Sequence, residues 1–286
     1  MVIGKSDRFF DAFIYLVLIA VGLISLFPIL YVISMSLTPY SEVIKHGGFL
    51  IFPRSITFEA YDRLLTGGNL PKAFGISVFL ATVGTGLNML LTVLAAYPLS
   101  RRKLPGRSAI LLFIIITMLF NGGLIPTYIL VKSLGLLNSV WALIIPSALA
   151  TFNMLIMKSF FESLPEELYE SARMDGAGEF RMLFSIAIPL SIPSLMTVGL
   201  FYMVSNWNSF FSAILYVTDP AKQPLQVVVR NLLLMSQDTE LQAEVTLPTE
   251  TLQMAAVILA SVPILAVYPF IQKYFMKGMV LGAIKG

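Results

Sequence analysis

The sequence predicts an all-α integral membrane protein of six transmembrane helices with both termini cytoplasmic. Three observations carry this. Hydrophobic residues form 57% of the 286-residue chain and Asp, Glu, Lys and Arg only 12%, about half the usual charged share; mean hydropathy is +0.84. Six stretches, 12–37, 74–99, 109–131, 138–157, 190–217 and 252–272, contain no Asp, Glu, Lys, Arg or His, and each suffices to cross about 30 Å of hydrocarbon. Finally, with the N-terminus inside, inner segments hold twelve lysines and arginines and outer segments seven, the bias that orients membrane proteins.

The elements follow in order. Lys5 and Arg8 precede an uncharged run from Ala12 to Tyr40. That run is far longer than the ~7–15 residues of a signal core, and no small-x-small site follows, so a retained first helix is expected. Residues 38–73 lie outside. Arg101, Arg102, Lys103 and Arg107 mark the inner end of the second helix. The third and fourth helices are joined around Gly135 and should form a hairpin. Residues 158–189 lie inside. Residues 218–251 lie outside, with Asp219, Asp238, Glu240, Glu244 and Glu250 against Lys222 and Arg230 and an apolar run from Val227 to Met235, and should hold some helix. The organisation expected is 1–72, a membrane helix and long extracellular loop; 73–272, the membrane domain with its inner loop 158–189; and 273–286, a cytoplasmic tail.

Composition also excludes. The chain has no cysteine and one histidine, which rules out thiolate metal sites and cysteine catalysis; His46 sits in a polar loop. The basic residues cluster in short loops, so the pI near 9.0 reflects topology and not nucleic-acid binding. No nucleophile–base pair and no G-x-x-x-x-G-K-[ST] loop occurs, so neither an enzyme nor a self-contained ATP-driven pump is indicated.

The inner loop contains Leu164-Pro165-Glu166-Glu167-Leu168-Tyr169-Glu170-Ser171-Ala172-Arg173-Met174-Asp175-Gly176. Pro165 suits a first turn, and Glu166 and Glu167 suit the positive end of a helix dipole. Leu164, Leu168 and Ala172 share one face, and Gly176 is a natural stop. A second short helix should follow with Phe180, Leu183 and Phe184 on one side. Spacing alone fits equally a lever for a partner or a surface helix packed on its own bundle.

Glu170-Ser171-Ala172, Asp175-Gly176 and Ile186-x-Ile188-Pro189 resemble the loop signature of permease subunits of ATP-binding-cassette importers. Ser171 and Ile188 depart from that pattern conservatively. The resemblance implies the type I importer permease fold, with 165–174 a coupling helix seated in a separate ATPase subunit. Glu166, Glu167, Leu168, Glu170, Ser171, Ala172, Asp175 and Gly176 then form the docking element, and Glu170 pairs with a base there. It further implies a second homologous permease, two ATPase subunits that hold the ATP and Mg²⁺, and an extracellular or periplasmic substrate-binding protein. The setting implied is the bacterial cytoplasmic membrane, and no cofactor is expected on this chain.

Asn121-Gly122-Gly123-Leu124-Ile125-Pro126-Thr127-Tyr128, Ser133-Leu134-Gly135-Leu136, Asn206-Trp207-Asn208 and the tail from Tyr268 to Gly286 resemble the carbohydrate-uptake branch. Within it they resemble the subgroup for oligosaccharides such as alginate- or pectin-type fragments. A matching path is available on the fifth helix, where Tyr202, Ser205, Asn206, Ser209, Ser212 and Tyr216 recur at helical spacing beside Trp207, Phe210 and Phe211. Candidate path residues are Tyr202, Asn206, Trp207, Asn208, Ser209 and, on the fourth helix, Asn153. Thr82, Thr85, Met89 and Thr92 make a weaker stripe on the second. The same groups could instead bond helix to helix. The rival reading, an ion-coupled secondary sugar transporter, would need ionisable groups within the membrane, and the six spans hold none.

Overall fold

The structure, a computed structural model, describes residues 5–120, 122–235 and 250–283, and the described residues are helical with no strand. Asn121, Asp238, Glu240, Glu244 and the last three tail residues lie outside them. The elements are α1 (Lys5–Leu37), α2 (Tyr40–Lys45), α3 (Glu59–Thr66), α4 (Leu70–Ser100), α5 (Arg107–Leu119), α6 (Leu124–Ser133) and α7 (Trp141–Ser147). They continue as α8 (Thr151–Glu162), α9 (Glu166–Met174), α10 (Glu179–Leu190), α11 (Ile192–Trp207), α12 (Phe211–Tyr216), α13 (Leu225–Met235) and α14 (Glu250–Ala283).

The chain divides into two compact units, Met1–Gly68 with Val229–Val262, and Asn69–Val228 with Pro263–Gly286. In the first, α1 is exposed along most of its apolar part, as expected of a helix whose solvent is lipid, and is buried at its end, at Ser34, Met35 and Ser36. Its end is tied down locally: Tyr61 donates to Ser36 Oγ at 2.7 Å, and Tyr31 stacks on Phe49 at 5.2 Å.

The second unit differs from the expected row of continuous helices. Among the described residues of both units, α1, α4 and the Glu250–Val267 part of α14 are the single helices long and apolar enough to span; three bent pairs, α5–α6, α7–α8 and α10–α11, raise the number to as many as six. The stretch 109–131 is interrupted before α6, where Gly123 adopts φ +91°. The α7–α8 pair bends by 52° after Pro146, and α10–α11 by 85° at Ser191, just before Pro193 opens α11. Helix α11 stops at Trp207, ten residues short of the expected end, and the Asn208 side chain donates to the Val204 carbonyl at 3.0 Å beside its own backbone N–H, closing the last turn. At the other extreme α14 continues through the expected tail to Ala283. The hairpin turn at Gly135 is present, with φ +69° and Leu136 N–H donating to Val131 O.

Two cores fill this unit. One gathers Val93, Ala96, Tyr97, Met154, Met157, Phe161, Tyr169, Met182 and Val198; the other gathers Leu80, Val131, Leu143, Ile144, Ala213 and Tyr216. At the joint of α5 and α8, Glu162 pairs with both Arg107 and Lys158, the latter at 2.7 Å.

Candidate functional site

The loop 158–189 builds one candidate site. Pro165 caps α9 with extended backbone (φ −58°, ψ 130°). At the other end Gly176 takes φ +75°, Ala177 N–H donates to Ala172 O at 2.9 Å and Gly176 N–H to Arg173 O at 3.0 Å. This pairing of a left-handed glycine with two back-reaching N–H groups is the Schellman stop, so the helix ends where the sequence placed its glycine.

Its buried face is rotated from the expected one. Tyr169 is the anchor at 1% exposure, Leu164 and Ala172 pack partly against the core, and Leu168 is 41% exposed. Burial pushes the Tyr169 hydroxyl above the usual tyrosine range, against the opposing pull of Arg101, so it is neutral. The guanidinium of Arg101 lies 3.4 Å from the Tyr169 ring centroid, well inside cation–π range. Glu166, Glu167, Leu168, Glu170, Ser171, Met174, Asp175 and Gly176 are left exposed, an acidic face around small and apolar residues. On α10, Phe180 and Phe184 are exposed at 73% and 56%, while Met182 and Leu183 are buried; the expected shared side of Phe180, Leu183 and Phe184 is therefore split. Sequence reading passed over Tyr169 and Arg101; an aromatic set among acidic residues, with a base following the second span, was the available signal.

The polar residues of α11 divide into two groups. Tyr202 and Asn206 are buried among helices. The Tyr202 hydroxyl lies 2.7 Å from Thr92 Oγ and accepts from Ala150 N–H at 3.0 Å. Asn206 Nδ2 donates to Asn88 Oδ1 at 3.0 Å and Thr85 Oγ at 3.2 Å. Asn88 in turn donates to the carbonyls of Ser147 and Ala148 at 3.1 and 2.9 Å. These are the backbone groups released by the bend between α7 and α8, and side chains from α4 and α11 satisfy them, as a broken helix in lipid requires. A π-helical turn, Leu80–Gly84, brings Gly84 against Asn206; a Cβ there would sit 3.0 Å from Nδ2. Asn88 is a third residue the sequence reading missed. Asn153 is also buried.

The second group faces a cavity of about 640 Å³ lined by Thr82, Phe201, Ser205, Trp207, Asn208 and Pro263, among others. Its walls are apolar, with Thr82, Ser205 and Asn208 supplying the polar points. Trp207 is held edge-on to Phe74, centroids 5.9 Å apart. Ser209 lies beyond the end of α11, its hydroxyl 3.2 Å from that of Ser212, so the single stripe expected through Tyr216 is interrupted.

Residues 88–280 match the family described as "Binding-protein-dependent transport system inner membrane component". The chain belongs to this family. Among similar proteins, Protein LplC of Bacillus subtilis (strain 168) is 43% identical, covering 99% of this chain and 97% of the relative. The polygalacturonan/rhamnogalacturonan transport system permease protein YtcP of the same organism is 42% identical, covering 98% and 100%. A crystal structure of a bacterial ABC transporter involved in import of the acidic polysaccharide alginate contains a chain with TM-score 0.88 and 32% identity, over 95% of this permease and 98% of that chain. A second, of an alginate transporter in complex with an alginate-pentasaccharide-bound periplasmic protein, aligns at TM-score 0.57 and 17% identity and bears on the fold alone. The permease is thus a membrane component of an ABC importer, with the importer permease fold that the loop signature implied.

Proposed function

We propose that this permease is a membrane subunit of an ATP-driven, binding-protein-dependent importer of oligosaccharides, working by alternating access in the bacterial cytoplasmic membrane. Its partners in this reading are a second homologous permease, two ATPase subunits that carry the ATP and Mg²⁺, and a substrate-binding protein. The single observation that carries it is α9: a helix anchored inward by Tyr169, stopped by left-handed Gly176, and presenting Leu168, Glu170, Ser171 and Met174 outward. A rigid, exposed helix of this kind is what a separate motor could grip. The bent pairs then count as single spans, giving six, with both termini and α9 on the cytoplasmic side; 1–72 is a membrane helix with its extracellular loop, 73–272 the transporting domain and 273–286 the cytoplasmic tail. No covalent chemistry falls to this chain.

Acidic or uronate-rich oligosaccharides are the substrate class that the named relatives support. In this reading sugar passes the cavity beside Trp207 and Asn208, where an aromatic face and amide can meet a pyranose. Tyr202, Asn206, Asn153 and Ser209 support that wall. The test is co-purification with the importer's ATPase subunit, comparing wild type with Glu170→Ala and with Gly176→Val. Retention by wild type and loss in both variants is expected; equal retention by all three would sink the assignment of α9.

A further inference from the structure

Resting on the assignment of α9 as the coupling helix, we propose that Arg101 is the positioning residue that passes the movement of α9 to α4, through the face of the Tyr169 ring. The covalent route out of α9 is poorly suited to carry a push. It crosses the non-helical residues 175–178, with Gly176 left-handed, then bends 85° at Ser191 before reaching α11. The contact through Arg101 is direct. Its guanidinium lies between two rings, 3.4 Å from the Tyr169 centroid on α9 and 4.5 Å from the Tyr97 centroid on α4.

The rest of the joint is polar and redundant. Arg101 donates to Tyr97 Oη at 2.7 Å, and Tyr97 Oη donates to Glu179 at 3.2 Å. Arg173 on α9 closes the circuit onto Glu179 at 3.3 Å and Glu166 at 3.6 Å. Two atoms identify what matters: Arg101 Nε and Tyr169 Oη are buried without a hydrogen-bond partner among the described residues. The ring face of Tyr169 is therefore the closest contact with Arg101, while the hydroxyl feels the guanidinium without a hydrogen bond of good geometry. What reaches α4 also reaches its far residues, since the same helix holds Asn88 on the α7–α8 bend and Thr82 in the cavity wall.

The test uses the complete importer in proteoliposomes and reads sugar transported per ATP hydrolysed, normalised to assembled complex. Tyr169→Phe should match wild type. Tyr169→Leu and Arg101→Gln should continue to hydrolyse ATP but lose about fivefold to thirtyfold of the transport per ATP, the range of one cation–π contact from exposed to desolvated. Arg101→Lys, which keeps a cation over the ring, should recover part of the loss. An unchanged ratio in Tyr169→Leu and Arg101→Gln would overturn the inference, and so would a loss in Tyr169→Phe equal to that in Tyr169→Leu. A wild-type permease that retains no ATPase would instead overturn the coupling assignment beneath it, and the inference with it.

Discussion

Replacing Asn88 by Leu asks what holds the broken fourth span together. Asn88 is 1% exposed, and its amide orientation is set by two carbonyl acceptors, Ser147 O and Ala148 O, which require Nδ2 on their side. Its Oδ1 then accepts from Asn206. Leucine is close in size, so the loss is of three hydrogen bonds and not of volume. Side-chain hydrogen bonds within membranes average about 0.6 kcal/mol and reach about 1.7, so three predict a loss of about 2–5 kcal/mol. Unfolding in mixed micelles with increasing SDS would measure it, using the fluorescence of the two tryptophans, Trp141 at the start of α7 and Trp207 at the end of α11. Asn88→Asp should be worse than Leu, since it turns a carboxylate oxygen toward two carbonyls. A change below about 0.5 kcal/mol for Asn88→Leu would refute the account of the bend.

Three further outcomes follow from the same geometry. Gly84→Ala places a Cβ 3.0 Å from Asn206 Nδ2 and should displace that amide, lowering stability in the same assay, whereas Gly86→Ala, which meets nothing within 4 Å, should not. At Gly176 a Cβ also meets nothing within 4 Å, so Gly176→Ala costs the left-handed backbone, about 1–2 kcal/mol, and β-branched Val at least as much; Asn, which tolerates that conformation, should retain the ATPase better on co-purification. Glu162→Gln leaves Arg107 and Lys158 half-buried without their carboxylate and should destabilise by about 1–3 kcal/mol. Glu59→Gln breaks a pair exposed at 61–63% and should cost no more than about 0.5 kcal/mol.

Where local chemistry decides, the sequence was readable. The charge-free runs mark α1 and α4, Gly135 marks the hairpin turn, and Pro165 with Gly176 brackets α9 to within a residue. The bends were not readable, because a break in an apolar run is stable only where distant side chains meet the freed backbone. Asn88 and Tyr202 do this from 59 and 52 residues away, and apolar periodicity carries no trace of it. For the same reason Tyr202 and Asn206 read as path residues with helix contacts as the alternative, and in the structure both are bonded to neighbouring helices. On α9 the four-residue apolar period selected Leu168, whereas the neighbour that α4 supplies, Arg101, favours the ring one position on.

The central claim is that this permease moves sugar only when a separate ATPase works on it. The most direct measurement reconstitutes it with its second permease, the ATPase and the binding protein, and follows uptake of a labelled uronate oligosaccharide. Uptake should require ATP and every partner, and should be indifferent to a collapsed proton or sodium gradient. Uptake by this chain alone, driven by an ion gradient without ATP, would contradict the account.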